Sequence, residues 1–323
     1  MLHRPFFLSV LVPLLACGGS ATVSQSTEAT PEPVVAPTEP TPSAGQSVPL
    51  TEVVLLEPGA EERQVLRLHP EVGTERVMVL EQKLKMSIRL QDAQLPEVEM
   101  PPITMRFRLR VTEVDAAGAA RQEWSVETVE VRGEGEMAER LRQQLAPMAA
   151  LTGWDVLDAQ GRMLASDVVV PADLGPDLRR SLENTRDTMR QLMPPLPVEP
   201  VGVGARWQTV SPVQGAFTFE QRSTYVLESV DGDTIRLRTE VAQQAGPQRF
   251  PTEASGAESE LVAMEGQGTS VYTFDLATLA SDGTLTYGST IDSLTTPPGQ
   301  EQVRSRVQMG MEATTGTTVE AGQ

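Results

Sequence analysis

The stretch Met105-Arg106-Phe107-Arg108-Leu109-Arg110-Val111 decides the fold class, because its side chains alternate strictly between apolar and basic. Successive side chains of a β-strand point to opposite faces, so this stretch predicts a strand with one buried and one charged face. The same alternation appears at residues 84–90, 235–241 and 303–311. One buried face and one solvated face are typical of antiparallel sheets.

Aspartate and glycine separate these strands and predict hairpin turns. Such turns are expected at Asp115 with Gly118, Asp158 with Gly161, Asp231 with Gly232, and Asp282 with Gly283. Aspartate hydrogen-bonds the neighbouring backbone, and glycine adopts the positive φ that tight turns require. The layout is therefore expected to be antiparallel throughout.

Two helices are predicted between the strands. Apolar residues spaced by three or four predict the first near residues 136–150, with Met137, Leu141, Leu145 and Met148 on one side. The second is predicted at 173–193, where Pro194-Pro195 stops it. The predicted fold class is α+β and predominantly antiparallel β: a curved sheet or open half-barrel with about two covering helices.

A weak repeat raises the interpretation that the sheet has two related halves, residues 64–170 and 201–312. The stretch Val72-Gly73-Thr74-Glu75-Arg76 resembles Val203-Gly204-Ala205-Arg206-Trp207 in position, and residues 111–115 resemble 227–231. Chance similarity between turns explains the pattern equally well, so the sequence leaves duplication open.

The N-terminus has the pattern of a secretory signal peptide. Residues 1–16 combine a basic start at Arg4 with an apolar run that ends at Leu15. The run is shorter than the roughly 20 residues that span a bilayer. Its end, Leu14-Leu15-Ala16-Cys17, resembles the lipobox of bacterial lipoproteins, which implies that Cys17 is lipidated. The alternative is an ordinary signal peptide with a buried cysteine.

The chain after the signal peptide divides into a tether and a domain. Residues 17–50 comprise the cysteine and a Pro/Thr-rich stretch that favours extended, disordered chain, and residues 51–323 are predicted to form the β-rich globular domain. Two or more acyl chains make a stable anchor, so a membrane partner and a place in the cell envelope are expected. Gly18 after the cysteine favours the outer membrane, by resemblance to a lipoprotein sorting rule.

Composition argues against several classes of function. A net charge of −18 excludes nucleic acid as an expected partner. One cysteine allows no intramolecular disulfide, and His69 is the only histidine beyond the signal peptide. Without a nucleophile elbow or a His/Cys ligand set, the sequence predicts no catalytic residue, no metal and no cofactor. An enzyme is therefore disfavoured.

Two patterns in the sequence resemble functional motifs. Residues 133–138 fit G-x-G-x-x-A, with Asp155 beyond them, as in a dinucleotide fingerprint. Glu134 and Glu136 would repel a pyrophosphate, and the preceding strand belongs to a predicted hairpin, so a strand-to-helix joint is the better interpretation. The acid pairs Glu97/Glu99 and Asp231/Asp233 are interpreted as solvated loop acids.

Cations at alternate strand positions predict a basic stripe. Its members are Lys83, Lys85, Arg89, Arg106, Arg108, Arg110, Arg236 and Arg238, with a similar pair at Arg304 and Arg306. Such a stripe can bind a lipid head group, an anionic glycan or an acidic partner. It can equally be a solvated sheet face paired with glutamates. The sequence favours the paired face.

The order of signal peptide, tether, strands, Met193-Pro194-Pro195-Leu196-Pro197 and then residues 201–207 resembles an uncharacterised family of bacterial envelope lipoproteins, a domain of unknown function. The resemblance spans most of residues 64–312 and brings no catalytic residues. The architecture is also distantly similar to bacterial lipid and lipoprotein carriers, in which a curved sheet wraps an apolar cavity. This resemblance implies a non-enzymatic binding module for a lipid or other apolar ligand. The alternative is a structural or protein-interaction lipoprotein with a filled core and an envelope protein partner.

Overall fold

The computed structural model describes residues 46–47, 52–169, 193–214, 217–251, 258–296, 299 and 301–320. These residues hold sixteen strands and one α-helix. The strands of the first half of the chain are β1 (Gln46–Ser47), β2 (Val53–Glu57), β3 (Glu75–Leu90), β4 (Ala93–Gln94), β5 (Val98–Glu99), β6 (Ile103–Val114), β7 (Ala120–Val131), β8 (Thr152–Leu157) and β9 (Met163–Val169). Those of the second half are β10 (Arg206–Gln214), β11 (Thr218–Asp231), β12 (Thr234–Ala245), β13 (Gln248–Pro251), β14 (Glu258–Asp275), β15 (Ser281–Thr296) and β16 (Val303–Glu320).

All of these strands form one open antiparallel sheet. Its order is β1-β9-β8-β7-β6-β3-β16-β15-β14-β12-β11-β10-β2. The short strands β4 and β5 pair with β3, and β13 pairs with β14. The strands that alternation predicts are present, with Met105, Phe107 and Val111 buried as expected. The first and second halves of the chain meet where β3 pairs with β16, in a register that runs from Glu75 opposite Glu320 to Leu90 opposite Ser305.

The sheet curls round so that its two edge strands come near each other. Thirteen strands at about 4.8 Å spacing make a sheet about 58 Å wide. The edge strands β1 and β2 are nevertheless adjacent in the chain, and the six steps from Ser47 to Val53 span at most about 22 Å. The inner face is therefore deeply concave. Strand β1 also lies within the stretch that composition assigns to the tether, so the sheet begins before residue 51.

The helix α1 (Glu136–Leu145) follows β7 and continues as a 3₁₀ turn over Ala146–Ala150. It buries Ala138, Leu141 and Leu145. The expectation that Met137 lies on this apolar side is wrong, since 45% of its surface is exposed. Adjacent helical residues are turned by about 100°, so a stripe through Ala138 leaves Met137 outside it. The described residues thus hold one α-helix, and all but the last residue of the second predicted helix, residues 173–193, lie outside them.

Three of the four predicted turns lie between strands, and the fourth is wrong. At the first, Oδ1 of Asp115 accepts the backbone N–H groups of Ala117 and Ala119, both at 2.8 Å. Asp282 and Gly283 instead lie inside β15. Gly283 serves packing there, because a Cβ on it would lie 2.3 Å from Cβ of Tyr272.

The described apolar core forms three clusters on the sheet. The first cluster joins β6–β8 to β10–β14 through the segments before β3 and β10, and its largest side chain is Trp207. The second cluster packs α1 on β6 and β7 around Trp124. The third cluster lies on β14–β16 around Ile291. Residues from strands far apart in the sheet order therefore meet in the first cluster, as a deep curl requires.

The two stretches that echo each other in the sequence adopt the same backbone arrangement. The N–H of Gly73 donates to Val111 O, and the N–H of Val111 donates to Thr74 O. In the second half the N–H of Gly204 donates to Leu227 O, and the N–H of Leu227 donates to Ala205 O. A register shift follows Val111 in β6 and Leu227 in β11. The strand pairs β3-β6-β7-β8 and β10-β11-β12-β14 thus correspond position by position.

One extended segment connects the two halves at corresponding points. The N–H of Leu68 donates to Ala159 O at 2.8 Å, and the N–H of His69 donates to Leu276 O at 3.0 Å. Ala159 follows β8 and Leu276 follows β14, each directly after an aspartate that accepts backbone N–H groups. The segment therefore hydrogen-bonds to the ends of both β8 and β14 and stabilises the curvature of the sheet.

Candidate functional site

The concave face carries a buried line of three polar side chains, Arg76 of β3, Gln122 of β7 and Asp155 of β8. Arg76 lies opposite Leu109, and Gln122 lies opposite Val111 on one side and Asp155 on the other. Leu109 and Val111 are two positions apart on β6 and share one face, so the register places all three polar side chains on that face. We call these three residues the buried polar line. An Nη2 hydrogen of Arg76 is donated to Oε1 of Gln122, and Nε2 of Gln122 donates to Oδ1 of Asp155 at 2.6 Å.

Burial dominates the electrostatics of this line. Only 3% of Arg76 and 7% of Asp155 are exposed. Loss of hydration lowers the pKa of Arg76 to about 10, although the charge of Asp155 opposes this change. It also raises the pKa of Asp155 to about 6, against the hydrogen bond from Gln122 and the charge of Arg76. Both shifts show that mutual attraction across the Gln122 amide does not offset desolvation.

The guanidinium of Arg76 is incompletely satisfied. Its Nη1 is buried and has no hydrogen-bond partner among the described residues. A buried N–H without a partner costs free energy, so native proteins seldom keep one. Besides Gln122, three apolar side chains lie beside Arg76 on this face: Leu109 and Val319 are opposite it, and Met78 is two positions along β3. Val319 is 42% exposed, so solvent reaches the face next to Arg76.

All three tyrosines of the chain line the concave face of the second half. The hydroxyl of Tyr225 interacts with Thr209 and Ser223. Tyr272 lies near Thr239, whose buried Oγ1 has no hydrogen-bond partner among the described residues. Burial raises the pKa of both tyrosines, so they stay neutral.

The third tyrosine crosses a neighbouring strand. The hydroxyl of Tyr287 donates to Oε1 of Gln243 at 2.5 Å, and Nε2 of Gln243 donates to Oε1 of Gln221 at 2.6 Å. The ring passes over Gly266, where a Cβ would lie 2.1 Å from the hydroxyl. Hydroxyl and amide groups therefore form a polar belt in the middle of the concave face.

The predicted basic residues lie on the opposite, convex face, and most are paired with acids. A bulge in β7 places Glu127 between two arginines, so that Nε of Arg106 and Nε of Arg108 each donate to it at 2.6 Å. The hydrogen bond from Arg106 lowers the pKa of Glu127 most. Nη1 of Arg108 reaches Glu320 at 2.6 Å.

The remaining members of the predicted stripe divide into separate groups. Their partners are Glu81 for Lys83, Glu99 for Lys85, Gln94 for Arg89, Glu75 for Arg110, Glu228 for Arg236, Glu228 and Glu240 for Arg238, and Asp292 for Arg304 and Arg306. Strands β14–β16 separate Arg236 and Arg238 on β12 from the cations of β3 and β6. The structure therefore brings the cations together with acids more than with one another.

The convex face also has an open depression of about 570 Å³ over β11–β15. Arg222, Thr224, Glu240, Gln267 and Thr286 are among its lining residues, beside the small Ala242 and Gly288. Both charges are present and large apolar side chains are scarce among these residues. The depression consequently offers little to an apolar ligand.

The other residues that the sequence singled out do not form a site among the described residues. The lipobox residues Leu14, Leu15, Ala16 and Cys17 lie outside the described residues. His69 is exposed, with Nε2 3.3 Å from Asp233.

Within the described ranges, no three His, Cys, Asp or Glu side chains are grouped to hold a metal ion. No helix in the described part of the chain is long and apolar enough to cross a membrane.

The dinucleotide interpretation of residues 133–138 is excluded by topology. Strand β7 pairs antiparallel with β6 and β8, so no parallel crossover surrounds α1. Asp155 faces Gln122 instead of a ribose.

Sequence reasoning did not select Arg76 or Gln122. The signal that could have found Arg76 is the repeat, since it aligns this cation with Trp207.

Comparisons with known proteins give a match to a family over part of the chain and no activity. A family model described as "Family of unknown function (DUF6263)" matches residues 180–278, which is 99 of 323 residues. The matched part includes the five strands β10 to β14. No curated protein matches the chain. The chain thus contains, in this part, a domain similar to a family of unknown function.

Proposed function

We propose that this chain is a lipid-anchored bacterial envelope lipoprotein whose β-rich domain binds a lipid or other apolar molecule on its concave face. In this proposal Cys17 carries the anchor, and the domain binds its ligand without catalysing a reaction. The proposal includes the outer membrane as the location and retains the similarity to bacterial lipid and lipoprotein carriers.

One observation carries the proposal. A single curled sheet surrounds a concave face on which apolar packing is divided into three clusters instead of one continuous core. Domains usually have one contiguous core, so divided packing favours a binding concavity over a filled interior. Between the first and third clusters the inward positions carry short side chains such as Ser223, Ser270 and Ser289, or glycines such as Gly268.

The test is extraction of the purified full-length chain that carries Cys17→Ser, so that no anchor lipid contributes. We expect mass spectrometry of the organic extract to find a co-purifying apolar molecule at near-stoichiometric amount. A variant Ser270→Trp places a large ring on the concave face and should lose this molecule. Its matched control, Thr269→Trp, places the same ring on the convex face of β14 and should retain it.

Two outcomes would contradict the proposal. An extract without any bound molecule would favour the structural or protein-interaction lipoprotein. A molecule that Ser270→Trp and Thr269→Trp retain equally would be bound elsewhere. Crosslinking in intact cells would then be the way to find an envelope protein partner.

A further inference from the structure

We propose that Arg76 binds the anionic head group of an amphiphile whose apolar part lies on the concave face. This inference rests on the proposed function and specifies its ligand class: a carboxylate or phosphate attached to an apolar chain. The structure supplies three independent observations for it.

The first observation is the unused hydrogen-bonding capacity of the guanidinium. Nη2 of Arg76 is held by Gln122, whereas Nη1 is buried without a partner in the described part of the chain. Arginine binds carboxylates and phosphates through two parallel N–H donors, and a donor fixed in place by a neighbour needs little further ordering. Gln122 therefore orients the guanidinium and leaves the hydrogen-bonding capacity of one nitrogen unused.

The second observation is that the scaffold does not require a cation here. At the corresponding position of the second half stands Trp207, which is fully buried and stacks on Tyr225 with ring centroids 5.6 Å apart. The positions of Gln122 and Asp155 correspond to Leu237 and Tyr272. The same strand arrangement thus buries apolar and aromatic side chains at these positions in the second half and a charged arginine in the first half.

The third observation is the surroundings of Arg76. Leu109, Met78 and Val319 are apolar neighbours on the same face, and Val319, directly opposite Arg76, is exposed. A charged head group beside apolar surface is the arrangement that an amphiphile fits. A small hydrophilic anion would gain nothing from these three side chains.

The charge of Asp155 does not satisfy Arg76 directly. The Gln122 amide lies between them, and the carboxylate bonds to Nε2 of Gln122. The bound anion would add the contact that Asp155 does not make. Asp155 remains important because it fixes the orientation of the Gln122 amide, whose oxygen must face Arg76.

The experiment is titration calorimetry at pH 7.5 on the full-length Cys17→Ser chain, after extraction of any bound molecule. The probes are dodecanoate, dodecanol and inorganic phosphate, each below its aggregation concentration. We expect dodecanoate to bind at least about tenfold more tightly than dodecanol, as one charge-assisted hydrogen-bond pair provides. Inorganic phosphate alone should not bind measurably.

Variants locate the effect. Arg76→Gln should reduce dodecanoate affinity to that of dodecanol and leave dodecanol affinity unchanged, and Arg76→Lys should retain part of the preference. The matched control is Arg110→Gln, which removes a cation from the convex face of the adjacent strand β6 and should change neither affinity. Circular dichroism checks folding; if Arg76→Gln does not fold, the preference of the unsubstituted chain and of Arg76→Lys decides.

The outcomes separate the inference from the function on which it rests. Equal affinity for dodecanoate and dodecanol would overturn the inference and leave the binding function standing. A preference that survives Arg76→Gln would also overturn it. Failure to bind either amphiphile would overturn the proposed function and the inference together. Phosphate bound as tightly as dodecanoate would exclude an amphiphile as the ligand class.

Discussion

The two halves of the sheet share one backbone arrangement but bury different side chains on the concave face, polar in the first half and aromatic or apolar in the second. In the first half, Arg76 lies opposite Leu109, and Gln122 lies opposite Asp155. At the corresponding positions of the second half, Trp207 lies opposite Tyr225 and Leu237 lies opposite Tyr272. The glycine that precedes each stretch has a positive φ of 92° at Gly73 and 85° at Gly204.

The difference teaches which features the fold requires. Both halves keep the glycine, the fully buried Val111 or Leu227, and the aspartate that ends β8 or β14. They differ in the side chains that face the concavity. Backbone architecture is therefore shared, and the buried charge is an addition that stability alone does not explain.

The largest effect is expected from the aromatic half. Trp207→Ala removes a fully buried ring, its stack on Tyr225 and the 2.8 Å hydrogen bond from Nε1 to Pro195 O. We expect the free energy of unfolding to fall by about 4–5 kcal/mol. Urea denaturation measures it. Trp154→Ala is the control, since Trp154 is only partly buried and packs under Arg121; a similar loss in both variants would contradict the role of Trp207.

The next effect tests whether the buried polar line stabilises the first half. Arg76→Met leaves Asp155 buried without its cation, so we expect a loss of about 3–4 kcal/mol at pH 7.5. The triple variant Arg76→Met/Gln122→Leu/Asp155→Leu converts the line to the apolar character of the second half. It should unfold within about 1 kcal/mol of the unsubstituted chain. A triple variant as unstable as Arg76→Met would show that the polar line is needed for folding.

A smaller effect depends on pH. The pKa of Asp155 is raised from 3.8 to about 6, so the folded state holds a proton that the unfolded chain releases between these values. The contribution of Asp155 to stability therefore falls as pH rises from 4 to 6, by up to about 3 kcal/mol, and is constant above 6. Asp155→Asn removes this dependence. Urea midpoints at pH 4, 5, 6 and 7.5 should show a pH-dependent difference between the two proteins; a constant difference would contradict the raised pKa.

The smallest effect concerns the convex face. Glu127→Gln weakens two arginine contacts of a side chain that is 25% exposed, and we expect a loss of about 1 kcal/mol at low salt. Glu99→Gln breaks the ion pair with Lys85, in which both side chains are more than half exposed, and should change nothing measurable. Thermal unfolding at low and high salt compares them. Equal losses would mean that the bulge at Glu127 has no special role.

The sequence predicted the strands better than it predicted the site. Alternation located β3, β6, β12 and β16, because one face of each strand is buried and the other is charged. It missed the role of Gly283, since glycine serves both turns and close side-chain approach, and only the neighbouring Tyr272 distinguishes them.

The buried polar line could not be predicted from pattern. Arg76, Gln122 and Asp155 are separated by 46 and 33 residues, and each alone is typical of an exposed position. Their burial depends on the curl of the sheet, which local periodicity does not contain. The tether, the lipobox and the second helix stay predictions, because they lie outside the described residues or almost entirely so.

The pairing of β3 with β16 has a consequence for how the chain acquires its fold. These strands are the first and last long strands, and their register joins residue 75 to residue 320. Until the C-terminal strand is available, β3 and β15 have no strand between them, and each exposes a long unpaired strand edge. Such distant pairing makes folding slow, and a chain truncated before residue 303 should associate with other copies through these edges. The last eighteen residues of the sheet thus control when the concave face first exists.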